Sequence, residues 1–140
     1  TQHVAMNIQD RARLYSEIVL VLKPGGQFAI YDGIGGNGEP LIFPVPWARE
    51  PAISFLLTSD AMRDVLSATG LDVVSWTDTT AIATEWIARQ QDARSQAPSS
   101  PAIGLHLITP PDFPVMMANL GRNLVEGRAR MLQAILKRPA

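Results

Sequence analysis

The stretch Leu20-Val21-Leu22-Lys23-Pro24-Gly25-Gly26-Gln27-Phe28-Ala29-Ile30-Tyr31-Asp32 decides the fold of this chain. Pro24 disfavours helical geometry at Lys23, and the two glycines supply a tight turn, so a helix arriving from upstream must stop here. One does arrive. Leu14, Ile18, Val21 and Leu22 recur at helical spacing between residues 10 and 22, with Arg11, Arg13 and Glu17 elsewhere on the wheel and Asn7 or Asp10 placed to cap the start. Beyond the turn, residues 27–32 read as a strand. Its one charged residue, Asp32, stands at its C-terminal end, so the strand is expected to be covered on both faces.

Outward from this unit the order continues. Residues 33–51 are rich in Gly and Pro and read as loop. A second helix spans about 59–69, with Thr58 or Ser59 as cap, Met62, Val65 and Leu66 inward, and Gly70 as its stop. Residues 71–76 make the next strand. Residues 80–91 make a third helix with Ile82, Trp86 and Ile87 on its buried face, and Trp76 and Trp86 read as core. Residues 95–101 have the composition of a surface loop. Residues 114–126 look helical. Residues 131–137 read as a final strand, although 128–136 also fit a helix continuing from Asn123. Helix, strand, helix, strand, helix, helix, strand is an α/β pattern.

With 140 residues, no cysteine and a formal net charge of −1, the chain suits one domain of ordinary size. Acids and bases are mixed along it, and no basic run points to nucleic acid or an anionic membrane. The lack of cysteine removes disulfides, zinc–thiolate sites and thiol nucleophiles, and it is compatible with the cytoplasm, where the protein is expected. Apolar runs are short and broken, so no transmembrane span is expected. The chain opens on Thr1-Gln2-His3, with neither a basic leader nor an initiator Met, which reads as a fragment or a trimmed chain.

The segment 20–32 resembles the helix–turn–strand that leads into and through the fifth strand of class I S-adenosylmethionine-dependent methyltransferases, where Arg-Val-Leu-Lys-Pro-Gly-Gly is common and Leu20 here replaces the Arg. The match to the methyltransferase type 11 group extends further. Residues 1–11 resemble the loop after the fourth strand. Pro44-Val45-Pro46-Trp47-Ala48 with Ser54-Phe55-Leu56 resembles a substrate-side insertion, spanning about 33–57. Ala68-Thr69-Gly70-Leu71 resembles the step into the sixth strand, and residues 133–139 resemble the seventh, which ends near a basic residue and Pro. The resemblance implies one partial domain over 1–140, the C-terminal half of a Rossmann-like fold, with a mixed sheet whose last strand is antiparallel. It implies strand 27–32 beside strand 131–137, with 71–76 outside. It also implies that the glycine-rich cofactor loop and the ribose-binding acid lie upstream of this sequence.

For the site, the resemblance places Gln2 and His3 near the cofactor, S-adenosylmethionine in the full-length protein. Tyr31 and Asp32 stand at the C-terminal end of a strand, where open α/β sheets place ligands, and Trp47 stands in a Pro-rich loop that could wall a pocket. These three are therefore expected near a small-molecule methyl acceptor. The resemblance leans toward enzymes that methylate small amines or small metabolites, such as glycine, sarcosine and phosphoethanolamine. Plainer alternatives stand beside each. His3 could be a solvated residue near a chain end, Asp32 a turn initiator before Gly33, and Trp47 an anchor for a long loop. No catalytic residue is assigned, and none is required, because methyl transfer of this kind needs mainly positioning and desolvation of the acceptor. His3 and His106 are far apart with no acidic cluster nearby, so no metal site is expected. Gly33-Ile34-Gly35-Gly36-Asn37-Gly38 matches a dinucleotide fingerprint, but Glu39-Pro40 and the residues after it cannot start the helix that fingerprint needs, so a flexible loop is expected. Two functions compete: part of a methyltransferase, or a non-catalytic module that persists by self-association. In either case a homodimer is expected, because removing the upstream half would expose the edge of strand 27–32.

Overall fold

The computed structural model describes residues 1–96 and 107–140. The part of the expected 95–101 loop beyond Gln96, and His106, lie outside the described residues. Asp10 caps helix α1 (Arg11–Val21), its carboxylate accepting the Arg13 N–H at 2.9 Å. At the far end Gly25 takes φ +74°, and a Cβ on Gly26 would stand 2.8 Å from the Lys23 carbonyl. The helix therefore ends where its sequence says it must. The basic residue near the C-terminus has a structural task here, since the Arg138 guanidinium donates to the carbonyls of Val19 and Leu22, the open acceptors at the end of α1.

Strand β1 (Gln27–Gly35) follows, then helix α2 (Ser59–Ser67), strand β2 (Asp72–Asp78), helix α3 (Thr80–Gln96), helix α4 (Phe113–Val125) and strand β3 (Ala129–Lys137). The spatial order is β1-β3-β2, with β3 antiparallel to both neighbours, Gln27 opposite Lys137 and Asp72 opposite the same residue on the other side. β1 and β2 thus run the same way. One further parallel pairing joins Gln2 to Tyr31 on the outer edge of β1. The strand order is the expected one, and the helix–strand ambiguity over 128–136 resolves to strand.

Sheet faces alternate along each strand. On one face Phe28, Ile30 and Ile34 of β1 and Leu132, Ala134 and Leu136 of β3 meet Tyr15 of α1 and Met62 and Leu66 of α2 in the main core. Burial pushes the Tyr15 phenol above its ordinary value, against the pull of the Arg11 guanidinium. On the other face α3 and α4 pack through Ile87 and Leu124 onto Ala129 and Met131. That second layer covers only part of the sheet, so Gln27, Ala29 and Gln133 remain exposed. The expectation that β1 is covered on both faces is therefore corrected for its first half.

Two further corrections concern glycine and tryptophan. β1 runs three residues past Asp32, and Gly36 is pressed against the α4–β3 turn, where a Cβ would stand 1.9 Å from the Gly127 carbonyl oxygen. The Gly36 and Asn37 N–H groups donate to Arg128 and Gly127 at 3.0 and 2.7 Å. Gly36 serves close backbone approach and residues 33–35 belong to β1, where a flexible loop was expected. Trp76 packs against the main core, with its indole N–H on Ser59 and Arg63 stacked 4.4 Å over its ring. Trp86, expected in the core, is 55 % exposed, and Ile82 is 69 % exposed.

Candidate functional site

A cavity of about 790 Å³ lies on the incompletely covered face of the sheet. Its floor is Tyr31 of β1 and Met131 of β3. α3 supplies Ile82, Ala83, Trp86 and Ile87, and α4 supplies Phe113, Met117, Leu120 and Leu124. The N-terminal segment contributes Gln2, His3, Met6 and Asn7, and the loop after β1 contributes Pro46 and Trp47.

The N-terminal segment is held by the outer edge of β1. The Thr1 ammonium donates to the Ala29 carbonyl, the Tyr31 N–H to Thr1, and the His3 N–H to Tyr31, at 2.8, 3.0 and 2.9 Å. His3 pays for this course with φ +53°, a left-handed conformation uncommon for a residue with a Cβ, and its ring meets Tyr31 edge-on at 5.2 Å. A short 3-10 turn, Ala5–Asn7, comes next and buries Ala5 and Met6.

The loop wall is pinned from α4. Buried Asn123 accepts the Ile42 N–H at 2.8 Å and donates to the Ile42 carbonyl at 3.0 Å, and Asn119 donates to Pro44. Arg49 forms a bidentate pair with Asp112 at 2.6 and 3.0 Å, tying the residues after Trp47 to the start of α4. Hydrogen bonding by Arg49 holds the Asp112 carboxyl below its ordinary range. The Trp47 indole N–H is bound to Ser54, so that side chain presents only its ring to the cavity.

Four of the residues singled out by sequence, Gln2, His3, Tyr31 and Trp47, meet at this one cavity. Asp32 stands apart from its lining. It is 1 % exposed, and its two carboxylate oxygens accept the Val4 and Ala5 N–H groups at 2.8 and 3.3 Å. The turn-initiating alternative does not hold either, because Asp32 lies inside β1. The helical half of the lining went unnoticed in the sequence, although a signal was present. Ile82 and Trp86 form one i,i+4 stripe on α3 beside a second made by half-buried Ala83 and buried Ile87, and Met117, Leu120 and Leu124 form a stripe on α4. The two stripes on α3 are more than one packing face requires.

No protein-family model and no curated protein matches the sequence. In three dimensions the chain is similar to phosphoethanolamine N-methyltransferase 2 of Haemonchus contortus in complex with S-adenosyl-L-methionine, with a TM-score of 0.74 and 13% identity over 99% of this chain and 32% of that one. Its fold is part of the class I methyltransferase fold. The geranyl diphosphate C-methyltransferase of Streptomyces coelicolor A3(2) is similar at TM-score 0.66 and 13% identity, over 98% of this chain and 46% of that one. So is the [4+2]-cyclase SpnF, at 0.64 and 14% identity, over 100% of this chain and 49% of that one. This chain spans between about a third and a half of the length of these structures. A cyclase beside methyltransferases shows that the fold does not dictate the reaction, which must be argued from the site.

Tested against a sulfonium cofactor, the donor set is incomplete. The described lining carries no carboxylate to hold ribose hydroxyls, and the glycine run at 33–38 is committed to β1 and the α4–β3 turn. Among the described residues no group of His, Cys, Asp and Glu could hold a metal ion, and no helix is long and apolar enough to cross a membrane.

Proposed function

We propose that this chain is the acceptor-binding, C-terminal half of a cytoplasmic methyltransferase that draws its methyl group from S-adenosylmethionine and delivers it to a small molecule. The observation that carries the reading is the convergence of Gln2, His3, Tyr31 and Trp47 on one cavity of ligand size within this fold. Gln2 and His3 form the rim toward the cofactor, while Tyr31 and Trp47 wall the acceptor. Asp32 acts as a positioning residue, fixing the turn that carries Gln2 and His3 to the cavity. The glycine-rich loop and the ribose acid belong to a further part of the complete protein. The partner proposed besides the acceptor is a second copy of the chain.

Titration calorimetry tests this reading. The product of the whole reading frame is expected to bind S-adenosylmethionine in the micromolar range, and the 140-residue chain alone far more weakly. Absence of binding by both would remove the methyltransferase reading. Micromolar binding by the short chain would mean that it contains a cofactor site of its own.

A further inference from the structure

We propose that the cavity selects an uncharged, largely hydrocarbon molecule bearing a hydroxyl or carbonyl at one end, and excludes small charged amines and phosphorylated acceptors. The proposal rests on the acceptor-site reading above and names its substrate class.

The lining decides the matter. Among the described residues it includes no Asp, Glu, Lys or Arg. Burying an ammonium, carboxylate or phosphate without a counter-ion or a full set of hydrogen bonds is strongly unfavourable. Sarcosine would bring its carboxylate, and phosphoethanolamine its phosphate, against the electron-rich rings of Trp47, Trp86 and Phe113, with no cationic side chain among the described lining to pair either anion. Size agrees, since about 790 Å³ is several times the volume of a small amine and falls among cavities that enclose drug-sized ligands. The polar side chains Gln2, His3, Asn7 and Tyr31 all come from the N-terminal segment and the strand it lies along. His3 and Tyr31 stand together in edge-on contact, and neither side chain makes a hydrogen bond to any described residue. The Trp47 indole N–H is already spent on Ser54. α3 and α4 present hydrocarbon and aromatic side chains, with the Trp86 indole N–H as the one nitrogen donor among them. A ligand matching both ends has a hydrocarbon body and one neutral hydrogen-bonding head.

The test uses N-phenyl-1-naphthylamine, an uncharged probe whose emission rises in apolar surroundings, titrated into the 140-residue chain and into the whole reading-frame product without S-adenosylmethionine. Saturable one-to-one binding is expected in both, with displacement by 1-naphthol and none by sarcosine or phosphoethanolamine at hundredfold excess. Ile82 lines the cavity yet is 69 % exposed, so Ile82→Glu leaves the fold intact while adding a charge to the wall. It should weaken probe binding by at least about tenfold. Trp76→Phe, on the opposite face of the sheet, should leave binding unchanged. Tyr31→Phe should erase much of the preference for 1-naphthol over naphthalene. Displacement by either charged amine at the concentrations effective for 1-naphthol, or an Ile82→Glu variant that binds like the parent, overturns the proposal. Binding by the short chain but not by the whole product overturns it too, since polypeptide then fills the cavity. If the ligand class holds but the whole product transfers no methyl group from S-adenosylmethionine to bound alcohols or phenols, the enzymatic reading falls alone.

Discussion

Asp32 shows how far a single residue can be read. As an acid ending an apolar run it attracts a functional reading, yet its carboxylate is fully engaged with the Val4 and Ala5 N–H groups, 28 and 27 residues away in the chain. No local pattern announces that pairing, because it depends on the N-terminal segment folding back across β1. Asp32→Ala leaves two N–H groups without their acceptor and should cost about 2–3 kcal/mol in urea unfolding. As a positioning residue it should also lower the affinity of the cavity for an uncharged probe, with Asp32→Asn recovering part of both losses. A stability loss with unchanged probe affinity would remove the positioning role. Asn123 is the second buried polar residue of this kind, and its amide takes both backbone groups of Ile42. Asn123→Ala should destabilise by about 2–3 kcal/mol, since it orphans a donor and an acceptor together. An Asn between Leu120 and Leu124 on an apolar helix was a visible signal, although its partner was not.

At the scale of elements, what the sequence reveals follows from how local the cause is. The end of α1 was legible because Pro24, Gly25 and Gly26 act through the chain next to them. The state of β3 was ambiguous in isolation, for 128–136 fits two periodicities. Gly127 settles it by ending α4 at φ +72°, β3 is held as a strand between two partners, and its burial alternates over most of its length because successive side chains point to opposite faces of the sheet. The inward face of α3 was misread, with Ile82 and Trp86 placed in the core, because an apolar stripe looks the same whether it meets a neighbour or a cavity. The loop after β1 looked free because its anchors, Asn119, Asn123 and Asp112, lie on a helix more than sixty residues later. The Arg49–Asp112 tie yields a pH prediction. The folded pKa of Asp112 is depressed, so the contribution of the pair is present above the ordinary carboxylate value and is lost as pH falls through the depressed one. An exposed pair adds little to global stability, so its effect should be read at the cavity, whose walls Trp47 and Phe113 flank it in sequence. Probe affinity in the parent chain should therefore persist through the ordinary carboxylate range and fall only on the acid side of it. In Asp112→Asn it should already be lower at neutral pH and lack that acid limb. Identical acid limbs in the two proteins would show that the tie does not shape the cavity.

For the molecule as a whole, the deciding feature is the outer edge of β1. The sequence leads one to expect that edge bare, with a row of backbone groups open to a second chain. Instead residues Thr1 to His3 lie along it, satisfying Ala29 and Tyr31, and the Leu57 carbonyl accepts the Gly35 N–H at 2.8 Å. The cover is thin. It is a three-residue strip joined by three hydrogen bonds. Each such bond contributes only about 0.5–1.5 kcal/mol net. Beside it Ala29 and Gln27 are exposed, as are Ile82 and Trp86 at the mouth of the cavity. An edge guarded this lightly is open to competition from another copy of β1, and the closed solution for a self-complementary edge is a two-fold dimer. Sedimentation velocity over a concentration series should show reversible self-association of the intact chain. Deleting residues 1–3 should shift the monomer–dimer midpoint to lower concentration, because the competing strip is gone. A substitution that places a charge on the exposed start of the strand, Ala29→Lys, should shift it the other way. If both the intact and the shortened chain sediment as monomers throughout, the edge is not a docking surface, and the dimer has to be abandoned.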